Sequence, residues 1–279
     1  MSLSVILIVL LAAVLHATWN TIVKTAADGA ITLGLVALGH VLPGTVMVLL
    51  LPLPSAESFP YILLTTVIQF GYFYTLCQGY KFGDLSVVYP IARGIVPALV
   101  SLWAALFVGE YLPLQAWVGI GLIALGIIFS SWSVLRSGIK KRAVGFAIAT
   151  GIFISGYSLT DGIGVRLSGN TLSYWAWGAV LNIFIVMFLG TRYRAVLPHM
   201  PARTWVVGIA GGMVSMIAYG LVLYAKNFAP LGAVSALRET SVIFAALIGF
   251  VFLKEGYWAR RLTAAILMVA GVTTLSLAV

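Results

Sequence analysis

Charge is what this chain has least of. Of 279 residues only 8% are Asp, Glu, Lys or Arg, seven of them acidic, while 62% are hydrophobic. A soluble domain carries roughly 25% charged residues and cannot bury apolar surface in such excess, so a soluble fold is excluded. The single cysteine, Cys77, rules out an intramolecular disulfide and any cysteine-based zinc or iron–sulfur site. Lying in an apolar run, it reads as a small core residue. No Gly-x-x-x-x-Gly-Lys-Ser/Thr loop occurs, so ATP does not drive the protein through this chain. The absence of His-Glu-x-x-His and Gly-x-Ser-Gly motifs leaves an intramembrane enzyme without its usual apparatus. No catalytic residue, metal ligand or cofactor is expected. The net charge of +9 sits in short clusters between apolar runs rather than along an aromatic-studded face, which argues against nucleic acid.

What the chain has in abundance is long apolar stretches. A bilayer core of roughly 30 Å takes about 20 apolar residues per helix, and breakers divide the sequence into ten such spans. They run over 2–24, 30–52, 59–81, 84–108 and 112–135, then 142–165, 170–190, 203–226, 229–253 and 258–279. The N-terminal stretch lacks a basic leader region, and Leu15 spoils a small-x-small cleavage site, so it stays as the first span. Lysine and arginine collect in alternate loops: Lys24, Lys81, the Arg136 to Arg142 cluster, Arg192 to Arg203, and Lys254 to Arg261. Since cytoplasmic loops hold the excess of these residues, both termini are predicted outside.

The chain repeats itself. Arg93 and Glu110 stand 17 residues apart, as do Arg238 and Glu255, and Tyr74 and Tyr219, Phe107 and Phe252, and Gly126 and Gly271 keep the same offset of 145. Residues 1–135 and 142–279 then form two five-span halves, and an odd number of spans inverts the second relative to the first. The expected fold class is an all-α integral membrane protein of ten transmembrane helices in two inverted five-helix repeats.

Arg93 lies nine residues past Asp84, roughly 13 Å into the span and close to the midplane, and Arg238 is similarly deep. A charge there costs at least about 2.5–3.5 kcal/mol on insertion scales, so each needs a partner or a wet cavity. The planar fork of arginine suits a carboxylate or phosphate, which makes the pair candidate substrate-binding residues for an anion. The plainer alternative pairs Arg238 with Glu239 or another carboxylate and Arg93 with carbonyls freed by neighbouring prolines. Pro90 and Pro97 share a face with Arg93 and with Tyr89, and each removes a backbone hydrogen bond, so they are expected to break the helix beside the cavity. Glu239 points about 100° away from Arg238 on a helix and is a separate candidate for ion coupling. His16, Trp19 and Asn20 in the first span, with Tyr74 and Tyr219, complete the expected cavity lining. Asp161, near the outer end of its span, reads as partly hydrated. Ser101, Ala105 and Gly109 form a small-residue stripe for close helix packing, or alternatively for a homodimer.

The doubled pattern, Tyr89-Pro90-Ile91-Ala92-Arg93-Gly94 to Gly109-Glu110 and Leu237-Arg238-Glu239-Thr240-Ser241 to Lys254-Glu255, resembles the EamA-type branch of the drug/metabolite transporter superfamily over almost the whole chain. The resemblance implies a bacterial inner-membrane protein of ten helices, its central cavity lined partly by the fourth and ninth. Glu110 and Glu255 match the family's Gly-Glu or Lys-Glu ending, with Lys254 replacing the more usual glycine. His16-Ala17-Thr18-Trp19-Asn20 is similar to members associated with phosphonate utilisation. The expected function is secondary transport of a small organic metabolite by alternating access, with the bilayer and a small-molecule substrate as partners. A channel or lipid flippase is the alternative, with an intramembrane enzyme the least favoured.

Overall fold

The computed structural model describes residues 1–24, 29–83, 85–130, 140–253 and 258–279. Asp84, Arg136, Lys254 and Glu255 lie outside the described residues. Within them the regular structure is helical: α1 (Leu3–Lys24), α2 (Gly29–Leu50), α3 (Phe59–Phe82), α4 (Leu85–Phe107), α5 (Leu114–Ser130) and α6 (Lys141–Leu167). The chain continues through α7 (Thr171–Leu181), α8 (Ile183–Arg192), α9 (Ala202–Ala225), α10 (Leu231–Arg238), α11 (Ser241–Leu253) and α12 (Trp258–Ala278).

Two of the expected spans are interrupted. Asn182 divides α7 from α8, its amide donating back to the carbonyls of Gly178 and Ala179 at 3.2 Å, a side-chain bond that competes with the helix ladder. Glu239 and Thr240 divide α10 from α11. There the backbone switches to i−3 bonds, Glu239 N–H to Ala236 and Thr240 N–H to Leu237, and the Thr240 hydroxyl donates to Leu237 at 2.7 Å.

The distribution of side chains is that of a protein in lipid. Leu3, Leu7 and Leu11 of α1, Leu63, Val67 and Phe70 of α3, and Met213 and Ile217 of α9 are exposed, whereas Arg93, Asp161, Lys226, Arg238 and Glu239 are buried. Apolar outside and polar inside is stable only where the surroundings are hydrocarbon. Among the described residues six spans, with α7 and α8 counted as one, are long and apolar enough to cross a membrane, and α5 and α12 are shorter apolar helices. The chain is a multi-pass helical membrane protein.

Its centre is α10, whose eight residues are all buried. Gly232, Ala233, Ser235 and Ala236 are small enough for neighbours to approach from every side, and α10 touches α1, α4, α5, α6, α9 and α12. The tightest approach is to α4, where a Cβ at Gly232 would lie 2.0 Å from the Ser101 hydroxyl; Ser101 is thus used within the chain. Elsewhere α3 packs on α6, α9 on α1, α5 on α12, and α2 on α7 and α9.

Candidate functional site

Arg93 projects from the middle of α4 and Glu239 from the break between α10 and α11, and the two meet. Arg93 Nε donates to Glu239 Oε2 at 2.8 Å, with side chains only 5% and 1% exposed. This pairing joins the two sequence halves. Neither partner proposed for the arginines from the sequence anticipates it, because Glu239 has glycine, Gly94, at the equivalent position of the first half. The helix break turns Glu239 toward α4, and it leaves Arg238 on a different side, its guanidinium 5.3 Å from the centre of the Tyr219 ring. Among the described residues no carboxylate pairs with Arg238. Arg93 in turn lies 5.9 Å from the Tyr89 ring, and its Nη2 is buried with no hydrogen-bond partner. The Ser241 hydroxyl, two residues past Glu239, is likewise buried and unpartnered. Such orphan groups are uncommon inside folded proteins and need a reason.

Aromatic rings connect this cluster to the rest of the bundle. Tyr72 of α3, Tyr157 of α6 and Tyr219 of α9 follow one another edge to face at 5.9 and 6.2 Å. His16 is half-buried on α1. Its Nδ1 accepts from the Trp19 indole at 3.1 Å, so these two form a unit on α1. The Asn20 amide donates to the His16 carbonyl at 2.7 Å and is turned back onto its own helix.

Three expectations need correction. Tyr74 is 62% exposed on the outer stripe of α3, with Leu63, Val67 and Phe70, and does not mirror Tyr219. Helices α3 and α9 begin and end 143 residues apart rather than 145. Two residues on a helix turn a side chain by roughly 200°, which carries Tyr74 to the opposite face. Cys77 shares that stripe and is exposed. Pro90 and Pro97 do not break α4, which is continuous from Leu85 to Phe107. The fixed φ of proline is compatible with helix; what each one removes is a single N–H, and Pro97 thereby leaves the Arg93 carbonyl without its donor. The break falls instead in the proline-free α10–α11 segment.

A second polar cluster escaped the sequence reading. Asp161 of α6 is 3% exposed, not hydrated: its Oδ1 accepts from Thr65 at 2.8 Å and Tyr174 at 2.9 Å, and its Oδ2 from the Tyr219 hydroxyl. Lys226, just past α9, is fully buried. Its Nζ donates to the Ser158 carbonyl at 2.7 Å and hydroxyl at 3.0 Å and lies 5.9 Å from the Tyr219 ring. The spacing of seven from Tyr219 to Lys226, two helical turns on one face, was the signal available. At the same end Gly109, with φ 75°, closes α4 in the left-handed turn that favours glycine and presents Glu110. That carboxylate binds Arg166 Nη1 and caps α10 by accepting from Leu231 N–H at 2.8 Å, while Arg166 also donates to the carbonyls of Lys226 and Ala229.

Buried charges inside a bundle of apolar helices define the class of this chain as a polytopic helical membrane protein. Residues 3–132 match the EamA-like transporter family. No curated protein matches the sequence. A solved structure described as "Crystal structure of protein" aligns over 99% of this chain and 98% of its own, with a TM-score of 0.77 and 17% identity. At that identity the likeness speaks for the fold alone.

Proposed function

We propose that this protein is a secondary carrier moving a small organic anion across the bacterial plasma membrane by alternating access. Ten transmembrane helices form two inverted halves, residues 1–135 and 142–279, with both termini outside. The reciprocal packing of α3 on α6 and α9 on α1 supports the inverted arrangement, because a two-fold exchange of halves maps each contact onto the other.

The observation that carries the cargo reading is the cluster of Arg93, Arg238 and Glu239. Two cations and one carboxylate leave one positive charge at depth, a match for one negative charge on the cargo. Arg238 is not committed to a carboxylate, and the buried, unpartnered Arg93 Nη2 supplies a donor beside it. An oxyanion of carboxylate or phosphonate type would satisfy both. Tyr89, Tyr219, Trp19 and His16 then bound the organic part of the cargo. With the two arginines 4% and 8% exposed, the cluster is closed to both sides, as a carrier requires between its open states.

The test is thermal stabilisation of the detergent-solubilised protein by methylphosphonate, acetate, benzoate, glutamate, alanine and tetraphenylphosphonium. An anion at 100 times its Kd stabilises by about 2.7 kcal/mol, a Tm rise of roughly 5–10 °C for a chain of this size. Arg238→Gln abolishes the rise. Stabilisation by the cation alone, or an anion effect that survives Arg238→Gln, refutes the assignment.

A further inference from the structure

We propose that Asp161 is a proton-binding site through which proton movement is coupled to anion transport. The coupling rests on the anion-carrier reading above; the proton site itself does not.

The geometry sets Asp161 apart from a structural carboxylate. Three hydroxyls from three helices converge on it: Thr65 of α3, Tyr174 of α7 and Tyr219 of α9. The other charged or titratable groups around this cluster are Lys226 after α9, Arg238 of α10, and Tyr157 and Arg166 of α6 itself, with Tyr72 of α3 beyond Tyr157. A carboxylate that accepts three O–H bonds holds all three donors in one orientation. A protonated carboxyl keeps acceptor capacity but also carries one O–H that needs an acceptor of its own. The Tyr219 hydroxyl oxygen is placed to accept from a proton on Oδ2, its own hydrogen staying on Tyr219 and turning away from Asp161.

Tyr219 links this change to the cargo cluster. Its ring carries the Arg238 guanidinium at 5.3 Å, and Lys226 Nζ lies 5.9 Å away. Tyr219 therefore stands between Asp161 and the uncommitted arginine, its hydroxyl on one and its ring under the other. The charge argument runs the same way: a proton on Asp161 adds one positive charge to the buried set, and an anion at Arg238 removes one. Each occupant thus favours the other, and the proton and a monoanion cross together without net charge. A metal cation suits the site less well than a proton. Its coordination needs several oxygens free of donors, whereas the Ser158 carbonyl and hydroxyl are taken by Lys226 and the surrounding hydroxyls point their hydrogens at Asp161.

Infrared difference spectroscopy of the reconstituted full chain during pH steps tests the site without a cargo. Wild type gains a carboxylic C=O band on acidification. Asp161→Asn loses that band, Asp161→Glu shifts its frequency, and Tyr219→Phe, which keeps the carboxyl, moves its pH midpoint. Arg93→Ala retains the band, so a failed anion assignment and a failed proton site give different results. Survival of the same band in Asp161→Asn, or its absence from wild type, overturns the proposal. If Asp161→Asn does not fold, the Tyr219→Phe midpoint decides, and an unmoved midpoint is equally fatal.

Discussion

Replacing Glu239 by Met isolates the energetics of the central ion pair. The substitution keeps the volume but leaves Arg93, 4% exposed, without a counter-charge and with Arg238 as a second nearby cation. Breaking a buried pair from one side costs about 3–5 kcal/mol, a Tm loss of roughly 6–20 °C for a chain of this length. Arg93→Met breaks the same pair from the other side and should cost less. An isolated carboxylate can bind a proton, whereas a guanidinium cannot shed one, and Glu239 still has Arg238 beside it. The double variant removes both charges, and well-packed apolar replacements of a buried pair are often neutral. Simple additivity would give the sum of the two single losses, more than about 3–5 kcal/mol, whereas the coupled pair predicts less than about 3 kcal/mol. Thermal unfolding of the four proteins in one detergent measures the cycle. Additive losses would refute the claim that Arg93 and Glu239 act as one unit. Equal losses in the two single variants would refute the reasoning about Arg238.

Other consequences are separable from that cycle. Glu110→Gln weakens both the Arg166 contact and the cap on α10; with the two side chains 19% and 27% exposed, the loss is about 1–2 kcal/mol, and an unchanged Tm would show that the contact holds nothing together. Gly212→Ala places a Cβ 2.3 Å from the Val36 carbonyl oxygen, a backbone atom that cannot step aside, and should cost about 1–3 kcal/mol. Gly178→Ala, with nothing within 4 Å of its Cβ, is the matched control and should stay within about 0.5 kcal/mol. Tyr74→Ala leaves anion-dependent stabilisation unchanged because the side chain lies on the outer stripe of α3, and loss of that stabilisation would return Tyr74 to the binding site. A reporter fused at Val279 reads as external, and cytoplasmic activity would overturn the topology drawn from the basic loops.

The positions of the helices were legible because lipid imposes a simple rule. A span needs about 20 apolar residues, and Pro52, Pro54, Pro113, Pro198 and Pro201 punctuate the intervals. The place of Arg93 well inside its span, and hence its burial, was legible for the same reason, since rise per residue converts position into distance along the helix. Partners were not. Whether Glu239 faces Arg93 or Arg238 depends on a helix break that no proline or glycine announces; Thr240 makes part of it by returning its hydroxyl to Leu237. Asp161 is buried although it lies near the end of its span, so distance from a span's end does not measure nearness to water. The segment after α9, with the buried Lys226, covers that end of α6. Tyr74 shows the limit of repeat arithmetic. One constant offset fits Arg93 and Arg238, but the third and ninth helices slip by two residues against it, and on a helix two residues exchange inside for outside.

On the proposed inverted architecture, the two halves exchange roles whenever the carrier reverses. Identical halves would make the two end states equal in energy. The chemistry here is unequal at corresponding positions: at an offset of 145, Glu239 falls opposite Gly94 and Asp161 opposite His16. The first half contributes Arg93, Tyr89 and the His16–Trp19 unit, while the second contributes Arg238, Glu239 and the Asp161 cluster. The carboxylate that holds Arg93 and the one that binds the proton therefore both belong to the second half. Rearrangement of that half, rather than a symmetric exchange, is then the step to which proton and anion occupancy are tied. A carrier with this bias has one preferred resting state even without a gradient. The closed arginine cluster joined through Arg93 and Glu239, together with the Glu110–Arg166 contact at the other polar cluster, is the arrangement such a resting state would have.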